Sequence, residues 1–217
     1  MRAVIFDLDG VVVFTDQYHF QAWAWLAGQQ RWRFDETLND KLRGVSRLAS
    51  LQIILDHNQL DLPDYEKEEL AGRKNTRYRE LLTEIDESAL VPGAIDFVKA
   101  VRAAGLKTGI GSSSRNAGMV LDRLGIADLF DTVVTGHDIQ RSKPDPEIFL
   151  LVAKRLEVLP SECIVFEDAP SGVEAANAGG MFSVGFGTTP GLEEAVLQVP
   201  TYSEITVERL LAACNPK

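Results

Sequence analysis

The sequence has few of the features that mark secreted, membrane-bound or nucleic-acid-binding proteins. Its 217 residues include only two cysteines, Cys163 and Cys214, which lack the short spacing of zinc and redox motifs. No apolar run approaches the ~18 residues that span a membrane, and the N-terminus lacks the pattern of a signal peptide. Basic residues are scarce, with 22 Lys and Arg against 32 Asp and Glu and a net charge of −10. We therefore expect a cytoplasmic monomer with free thiols, and neither nucleic acid nor membrane as a partner.

What the sequence does contain is an alternation of strand-like and helix-like segments. Short apolar runs predict buried strands, and helical patterns of about ten residues separate them. The predicted strands are 3–6, 107–111, 132–135, 163–166 and 182–186, and the predicted helices between and after them are 94–104, 115–124, 146–156, 171–178 and 206–214. This order predicts an α/β fold, a doubly wound and mainly parallel Rossmann-like sheet.

The segment between the first strand and residue 90 has a different hydrophobic pattern. Its apolar spacing is helical, at 18–29, 46–56 and 64–82, and it contains no strand candidate. We therefore expect a core domain of residues 1–14 and 90–217 and an inserted all-helical cap domain of residues 15–89. Two adjacent linkers would make a hinge, so the cap would lie over the strand ends as a lid.

The first strand ends in two carboxylates, Asp7 and Asp9. Alternation along an extended chain points both side chains the same way, and ligands of open α/β sheets bind beyond the carboxyl ends of the strands. An acidic turn exposed to solvent is the simpler interpretation of this pair taken alone. The polar residues at the ends of the other strands favour a role for this pair in ligand binding or catalysis instead.

Each later strand also ends in polar residues. Ser112, Ser113 and Ser114 precede a helix and would form an anion-binding corner, although such a turn is also an ordinary helix cap. Lys143 lies next to a proline, which would fix its direction, whereas a surface lysine is the simpler alternative. Glu167 and Asp168 close the fourth strand. Four converging carboxylates require a cation, and oxygen ligands suit Mg²⁺.

Together these residues resemble a known family. Asp7-Leu8-Asp9-Gly10, Ser112, Lys143 and Glu167-Asp168 are similar, in order and spacing, to the four motifs of the haloacid dehalogenase-like phosphotransferase superfamily. The resemblance implies that Asp7 is the nucleophile and Asp9 the general acid and base. It implies Mg²⁺ held by Asp7, the Asp9 backbone carbonyl, Glu167 and Asp168, with the transferring phosphate held by Ser112, Ser113 and Lys143. A dehalogenase has no need for the second acid, Asp9.

The helical insertion resembles the cap of the β-phosphoglucomutase family in its Gly-Val-Ser-Arg-x-x-Ser and Arg-Lys-Asn segments and in the segment 18–23. Trp23 and His19 are otherwise typical core residues, and Arg47 and Lys74 typical surface residues. The substrate-binding residues that the resemblance implies are Thr15, His19, Trp23, Gly44, Val45, Ser46, Arg47, Ser50, Lys74, Ser114, Arg115 and Asn116.

Three hypotheses follow: a mutase that interconverts β-glucose 1-phosphate and glucose 6-phosphate, a phosphatase for a sugar phosphate or similar small phosphomonoester, and a noncatalytic phosphosugar-binding protein. Retention of the nucleophile and its partners disfavours the third. Arg47 and residues 114–116 favour the mutase, because they could hold a second phosphate. One departure lies at Phe14, where the family usually has Asp, and this affects the expected geometry of the hinge.

Overall fold

Six short strands form the centre of the chain. The computed structural model describes residues 1–42 and 45–214. All neighbouring strands in the sheet are parallel and follow the order β3-β2-β1-β4-β5-β6. The strands are β1 (Ala3–Phe6), β2 (Lys107–Gly111), β3 (Thr132–Val134), β4 (Cys163–Glu167), β5 (Phe182–Phe186) and β6 (Leu197–Val199). This topology confirms the doubly wound parallel fold, with β6 as a short edge strand that the sequence pattern did not predict.

Helices flank the sheet and fill the segment between β1 and the second strand. They are α1 (Asp16–Gln30), α2 (Glu36–Asp40), α3 (Arg47–His57), α4 (Asp64–Leu81), α5 (Ala94–Ala103), α6 (Ala117–Arg123), α7 (Glu147–Arg155), α8 (Pro170–Ala178) and α9 (Val207–Ala213). We call α1 to α4 the helical group. Of the helices within 1–42 and 45–214, none is long and apolar enough to cross a membrane.

Strand β1 is fully buried because it lies between β2 and β4 and is covered on both faces. Val4 and Phe6 face one apolar cluster, while Ala3 and Ile5 face another that includes Phe149. This two-sided burial explains why the strand is a continuous apolar run. Phe6 pairs with Ile110 of β2 and Phe166 of β4, so the three central strands end at one level.

The helical group has an apolar cluster of its own. Trp23, Leu26, Leu51 and Ile54 are among its buried members. The chain leaves and returns to the sheet at one place, because Val13 forms an antiparallel bridge with Leu90. The predicted domain boundaries at residues 14/15 and 89/90 lie beside this bridge and stay a prediction.

The start of α1 has no side-chain cap. Thr15 occupies the N-cap position, but its hydroxyl makes no bond to the helix, and Asp16 lies inside the first turn. Phe14 is 47% exposed, and its backbone N–H donates to the Ala89 carbonyl at 2.7 Å. The ring of Phe14, at the position where the family usually has Asp, is therefore exposed to solvent. The two linkers are joined there by the backbone hydrogen bond between Phe14 and Ala89.

Candidate active site

The turn after β1 brings two carboxylates to the end of the sheet. Asp7 is buried, and its backbone N–H extends the pairing with β4 by donating to the Phe166 carbonyl at 2.9 Å. Gly10 has a left-handed φ of 75°, and a Cβ there would lie 2.0 Å from Asp168 Oδ2. Only glycine allows this close approach, which places Asp168 against the β1 turn.

Lys143 joins the ends of β1 and β4. Its ammonium donates hydrogen bonds to Asp7 Oδ1 and Glu167 Oε1, and its burial matches the fixed direction that its proline neighbour predicts. Glu167 Oε2 also accepts a bond from the Ala169 N–H at 2.9 Å. Burial alone would lower the pKa of Lys143, but the charges of Asp7 and Glu167 raise it above its ordinary value. The lysine is therefore a fixed positive charge.

Three carboxylates lie close enough to share a metal ion. Asp7, Glu167 and Asp168 each offer an oxygen within 4.8 Å of the other two. Against three carboxylates, the single ammonium of Lys143 leaves two formal negative charges. Hard oxygen donors with this charge fit a divalent cation such as Mg²⁺. The side chain of Asp9 is not in this cluster, and the contact of its backbone carbonyl with the ion stays a prediction.

The Asp9 carboxylate points to hydroxyl groups instead. Thr15 Oγ1 donates to Asp9 Oδ1, and Ser112 Oγ lies 3.4 Å from Asp9 Oδ2. Burial and the negative charge of Asp7 raise the pKa of Asp9 to about 7, against the lowering effect of the Thr15 hydrogen bond. A carboxyl with this pKa can both give and take a proton near neutral pH.

A cavity of about 660 Å³ separates the sheet ends from the helical group. Most of the predicted site residues line it, from both layers: Asp7, Asp9, His19, Trp23, Val45, Ser46, Arg47, Ser50, Lys74, Ser113, Ser114, Arg115, Asn116, Lys143 and Asp168. The hydroxyl of Ser113 is buried and has no hydrogen-bond partner in the described part of the chain, so it is available to a ligand.

Three predicted residues lie behind the cavity wall, and one cannot be placed. Thr15, Ser112 and Glu167 are buried and contact the lining residues Asp9 and Lys143. Ser112 Oγ lies within hydrogen-bond distance of Asp9 Oδ2 and accepts a bond from the Ser114 N–H. Its contact with phosphate stays a prediction. Gly44 lies outside the described residues.

Two arginines line the cavity, one from each layer. Arg47 begins α3 in the helical group, and Arg115 lies in the loop after β2. Burial and the nearby charge of Arg115 lower the pKa of Arg47. Arg115 Nε donates to the Gly136 carbonyl at 3.3 Å, which holds it beside the cavity. An anion between the two arginines would relieve their repulsion.

Lys74 is buried at the base of the helical group. Its ammonium lies 2.9 Å from His19 Nδ1 and 4.8 Å from the ring centres of Trp23 and Tyr78. Burial and Arg47 lower the pKa of Lys74 to about 7, while Asp9 opposes that shift. Burial, followed by Lys74, holds the pKa of His19 well below its usual range. His19 is therefore a neutral acceptor for Lys74.

Some cavity residues were absent from the predicted set. Gly136, Ile139 and Gln140 follow β3 and line the core side. The rule that the carboxyl ends of parallel strands face the crevice could have identified them. Asn75 lines the cavity beside Lys74. It belongs to the Arg-Lys-Asn segment of the family resemblance but was not among the predicted site residues. Tyr78 stacks on His19 with ring centres 4.1 Å apart.

Comparison with known proteins agrees with this geometry. Residues 1–180 match the family model described as haloacid dehalogenase-like hydrolase. The chain belongs to this family. It is 41% identical to the β-phosphoglucomutase of Bacillus subtilis (strain 168), over 97% of this chain and 94% of that protein.

Two further relatives differ in their named activity. The chain is 34% identical to the phosphorylated carbohydrates phosphatase of Thermotoga maritima, over 97% of each protein. It superposes on the crystal structure of a β-phosphoglucomutase from Clostridium difficile with a TM-score of 0.93 and 38% identity, covering 99% of this chain and 97% of that one. Members of the family with mutase and phosphatase names are thus both similar to this chain.

Proposed function

We propose that this protein is a β-phosphoglucomutase-type isomerase that interconverts β-D-glucose 1-phosphate and glucose 6-phosphate through a phosphoaspartate and a bisphosphate. The observation that carries the proposal is the presence of two cationic regions in one cavity. Lys143 lies at the sheet ends, and Arg47 and Arg115 line the same cavity from the helical group and from the loop after β2. A mutase must hold one phosphate while it transfers the other, and two such regions meet this requirement.

Asp7 is the proposed nucleophile. Its carboxylate attacks phosphorus, the P–O bond to the sugar breaks, and the phosphoryl group becomes bound to Asp7. Lys143, which donates to Asp7 Oδ1, would balance the charge on the transferring oxygens. Asp7, the Asp9 backbone carbonyl, Glu167 and Asp168 would hold Mg²⁺. When bound, this ion supplies the positive charge that lets a carboxylate approach a phosphate.

Asp9 is the proposed general acid and base. It takes the proton from the sugar hydroxyl that attacks the phosphoaspartate and returns a proton to the sugar oxygen that leaves. Its pKa of about 7 supports both roles, because neither protonation state is strongly disfavoured at neutral pH. Thr15 would orient the carboxyl by donating to Oδ1.

Arg47 and Arg115 are the proposed ligands of the nonreacting phosphate, with Ser114 and Asn116. The bisphosphate intermediate exchanges its two ends between this region and Asp7. We also propose that the helical group acts as a cap of residues 15–89, because closure over the cavity would exclude water from the phosphoaspartate.

The alternative is a phosphatase acting on a sugar phosphate or similar small phosphomonoester. It uses the same Asp7 and Asp9 but lets water accept the phosphoryl group. The name of the Thermotoga maritima relative supports this alternative, and the name of the Bacillus subtilis relative supports the mutase. In either case we propose a cytoplasmic monomer acting on a small soluble substrate, in keeping with two free cysteines and an acidic composition.

The products distinguish the two reactions. The purified protein is incubated with Mg²⁺, β-glucose 1-phosphate and a trace of β-glucose 1,6-bisphosphate, and glucose 6-phosphate and inorganic phosphate are measured together. We expect glucose 6-phosphate as the main product. Release of inorganic phosphate as the main product would establish the phosphatase instead.

A further inference from the structure

Asn75 of α4 contacts the core across the cavity. Asn116 Nδ2 donates a hydrogen bond to Asn75 Oδ1 at 2.8 Å. Both side chains are partly buried and line the cavity. The two residues belong to different layers, since Asn75 lies in the helical group and Asn116 begins α6 beside the sheet.

The contact continues into the core as a series of hydrogen bonds. The Asn116 N–H donates to Ser114 Oγ at 3.2 Å, and the Ser114 N–H donates to Ser112 Oγ at 3.1 Å. Ser112 Oγ in turn lies 3.4 Å from Asp9 Oδ2. A chain of hydrogen bonds therefore connects Asn75 in the helical group with the Asp9 carboxyl.

Asn75 is held firmly on its own side. The preceding residue, Lys74, is buried against His19, Trp23 and Tyr78, so the backbone of α4 has little freedom at this position. The hydrogen bond also has a defined direction from donor to acceptor. Asn116 supplies the donor and Asn75 the acceptor, as the amides are oriented in this structure.

We propose that Asn75 is a positioning residue that clasps the helical group to the loop of residues 112–116 and so sets the partition of the phosphoaspartate between sugar and water. With the clasp formed, α4 covers the cavity and the loop holds both Asn116 and Asp9 in place. Without it, the helical group opens more readily and water reaches Asp7. This inference rests on the proposed transfer chemistry for its activity readout.

The test compares Asn75→Ala with Asn75→Asp and with Thr76→Ala. Asp keeps an acceptor oxygen for Asn116, whereas Ala does not. Thr76 is exposed on the same helix, and its hydroxyl donates to the Gly72 carbonyl of that helix, which makes it the matched control. Alanine is a better helix former than Asn or Thr, and Asp is about equal to Asn, so α4 is expected to fold in each variant.

In the assay that measures glucose 6-phosphate and inorganic phosphate together, we expect Asn75→Ala to lower the ratio of the two products by about fivefold. This factor corresponds to the loss of one net hydrogen bond. We expect Thr76→Ala to leave the ratio unchanged and Asn75→Asp to keep more of it than Asn75→Ala. In the Asn116→Ala background, Asn75→Ala should have no further effect, because the clasp is already absent. An unchanged ratio in Asn75→Ala, or full additivity with Asn116→Ala, would overturn the clasp.

A second readout does not depend on which reaction occurs. Small-angle X-ray scattering of the unliganded protein should show a larger radius of gyration for Asn75→Ala than for the wild type and Thr76→Ala. If the wild type releases only phosphate but this shift is present, the proposed mutase function fails and the clasp stands. If the wild type is a mutase and the product ratio does not change in Asn75→Ala, the clasp alone fails.

Discussion

Thr15 Oγ1 donates a hydrogen bond to Asp9 Oδ1 at the point where the chain passes from the β1 turn into the helical group. The hydroxyl that would ordinarily cap a helix is turned instead toward the proposed acid and base. Because Thr15 is the N-cap residue of α1, the orientation of Asp9 depends on where the helical group lies. The proposed proton transfer and the position of the proposed cap are therefore linked through one side chain.

This relationship predicts the response to substitutions at the two residues. Asp9→Asn should slow turnover of β-glucose 1-phosphate by about a hundredfold or more, and Thr15→Val by about tenfold, because the leaving oxygen needs a positioned acid. Dephosphorylation of an aryl phosphate with a good leaving group should fall much less in both variants. Equal losses on the two substrates in steady-state assays would contradict the acid role of Asp9.

Arg47 should affect the mutase reaction more than hydrolysis. Arg47→Ala removes a charged hydrogen-bond donor from the nonreacting phosphate, so we expect mutase kcat/KM to fall by about 10- to 100-fold. Hydrolysis of a small aryl phosphate, which has no second phosphate, should change little. Arg79→Ala is the control, since Arg79 is exposed in the last turn of α4. Parallel losses in both reactions would count against the distal-phosphate role.

Gly172 should tolerate no side chain because α8 passes close to Glu167. A Cβ at Gly172 would lie 1.9 Å from Glu167 Oε1, and Lys143 and the Ala169 N–H hold that carboxylate in place. We expect Gly172→Ala to lower the free energy of unfolding by about 1–3 kcal/mol.

The matched control for this substitution is Gly28→Ala. Gly28 is also a helical glycine, but it is exposed on α1 and a Cβ there would meet nothing within 4 Å. That variant should be more stable than the wild type by up to about 1 kcal/mol, because alanine is the better helix former. Urea unfolding measures both changes, and similar effects at the two positions would refute the steric argument.

Mg²⁺ should stabilise the folded protein through the carboxylate cluster. An ion that binds only the native state at a hundred times its Kd contributes about 2.7 kcal/mol to the free energy of unfolding, so the Tm should rise on addition of Mg²⁺ and fall again with a chelator. Asp168→Asn should lose most of this rise. Asp122→Asn, which changes an exposed acid on α6, should retain it. A full Mg²⁺ response in Asp168→Asn would remove Asp168 from the proposed site.

Lys74 should make stability depend on pH. Its pKa is about 7 in the folded protein and 10.5 in its ordinary state, with His19, Arg47 and Asp9 as the facing polar groups and the Trp23 and Tyr78 rings against the ammonium. Between these values the unfolded chain binds more protons at this position than the folded protein does. Burial of charged Lys74 destabilises the folded protein by a constant amount below pH 7. This destabilisation is relieved progressively as the pH rises from about 7 toward 10.5, so the free energy of unfolding increases over that range.

The measurement is urea unfolding of the wild type and Lys74→Met at several pH values. The difference in unfolding free energy, wild type minus Lys74→Met, should increase by about 1.4 kcal/mol per pH unit in the steepest part of the window. The same pH dependence in both proteins would show that Lys74 is not the group responsible.

The secondary structure could be predicted where burial leaves a clear pattern in the sequence. Strands β1, β2 and β5 were predicted to the residue. The clearest case is β1, because a central strand covered on both faces is an apolar run that ends abruptly. The edge strand β6 and helix α2 were missed. They have three and five residues, too few to show a period, and β6 forms only through its pairing with β5.

The sequence was also sufficient to select the main candidate residues of the site. Asp7, Asp9, Lys143 and Asp168 could be selected because each follows a predicted strand, and parallel strands end at one edge of a sheet. Their arrangement was decided by the tertiary structure. The sequence does not show that Lys143 lies between Asp7 and Glu167, or that Thr15 turns its hydroxyl to Asp9 and not to its helix.

Contacts between the two layers depended most on the tertiary structure. Asn75 and Asn116 are 41 residues apart, and the family resemblance that covers both positions does not indicate a hydrogen bond between them. Local sequence patterns indicate which faces of a helix or strand are buried and where helices begin and end. Which polar side chains meet across a cavity is decided only when the sheet and the helical group pack, because that packing alone sets the distance between them.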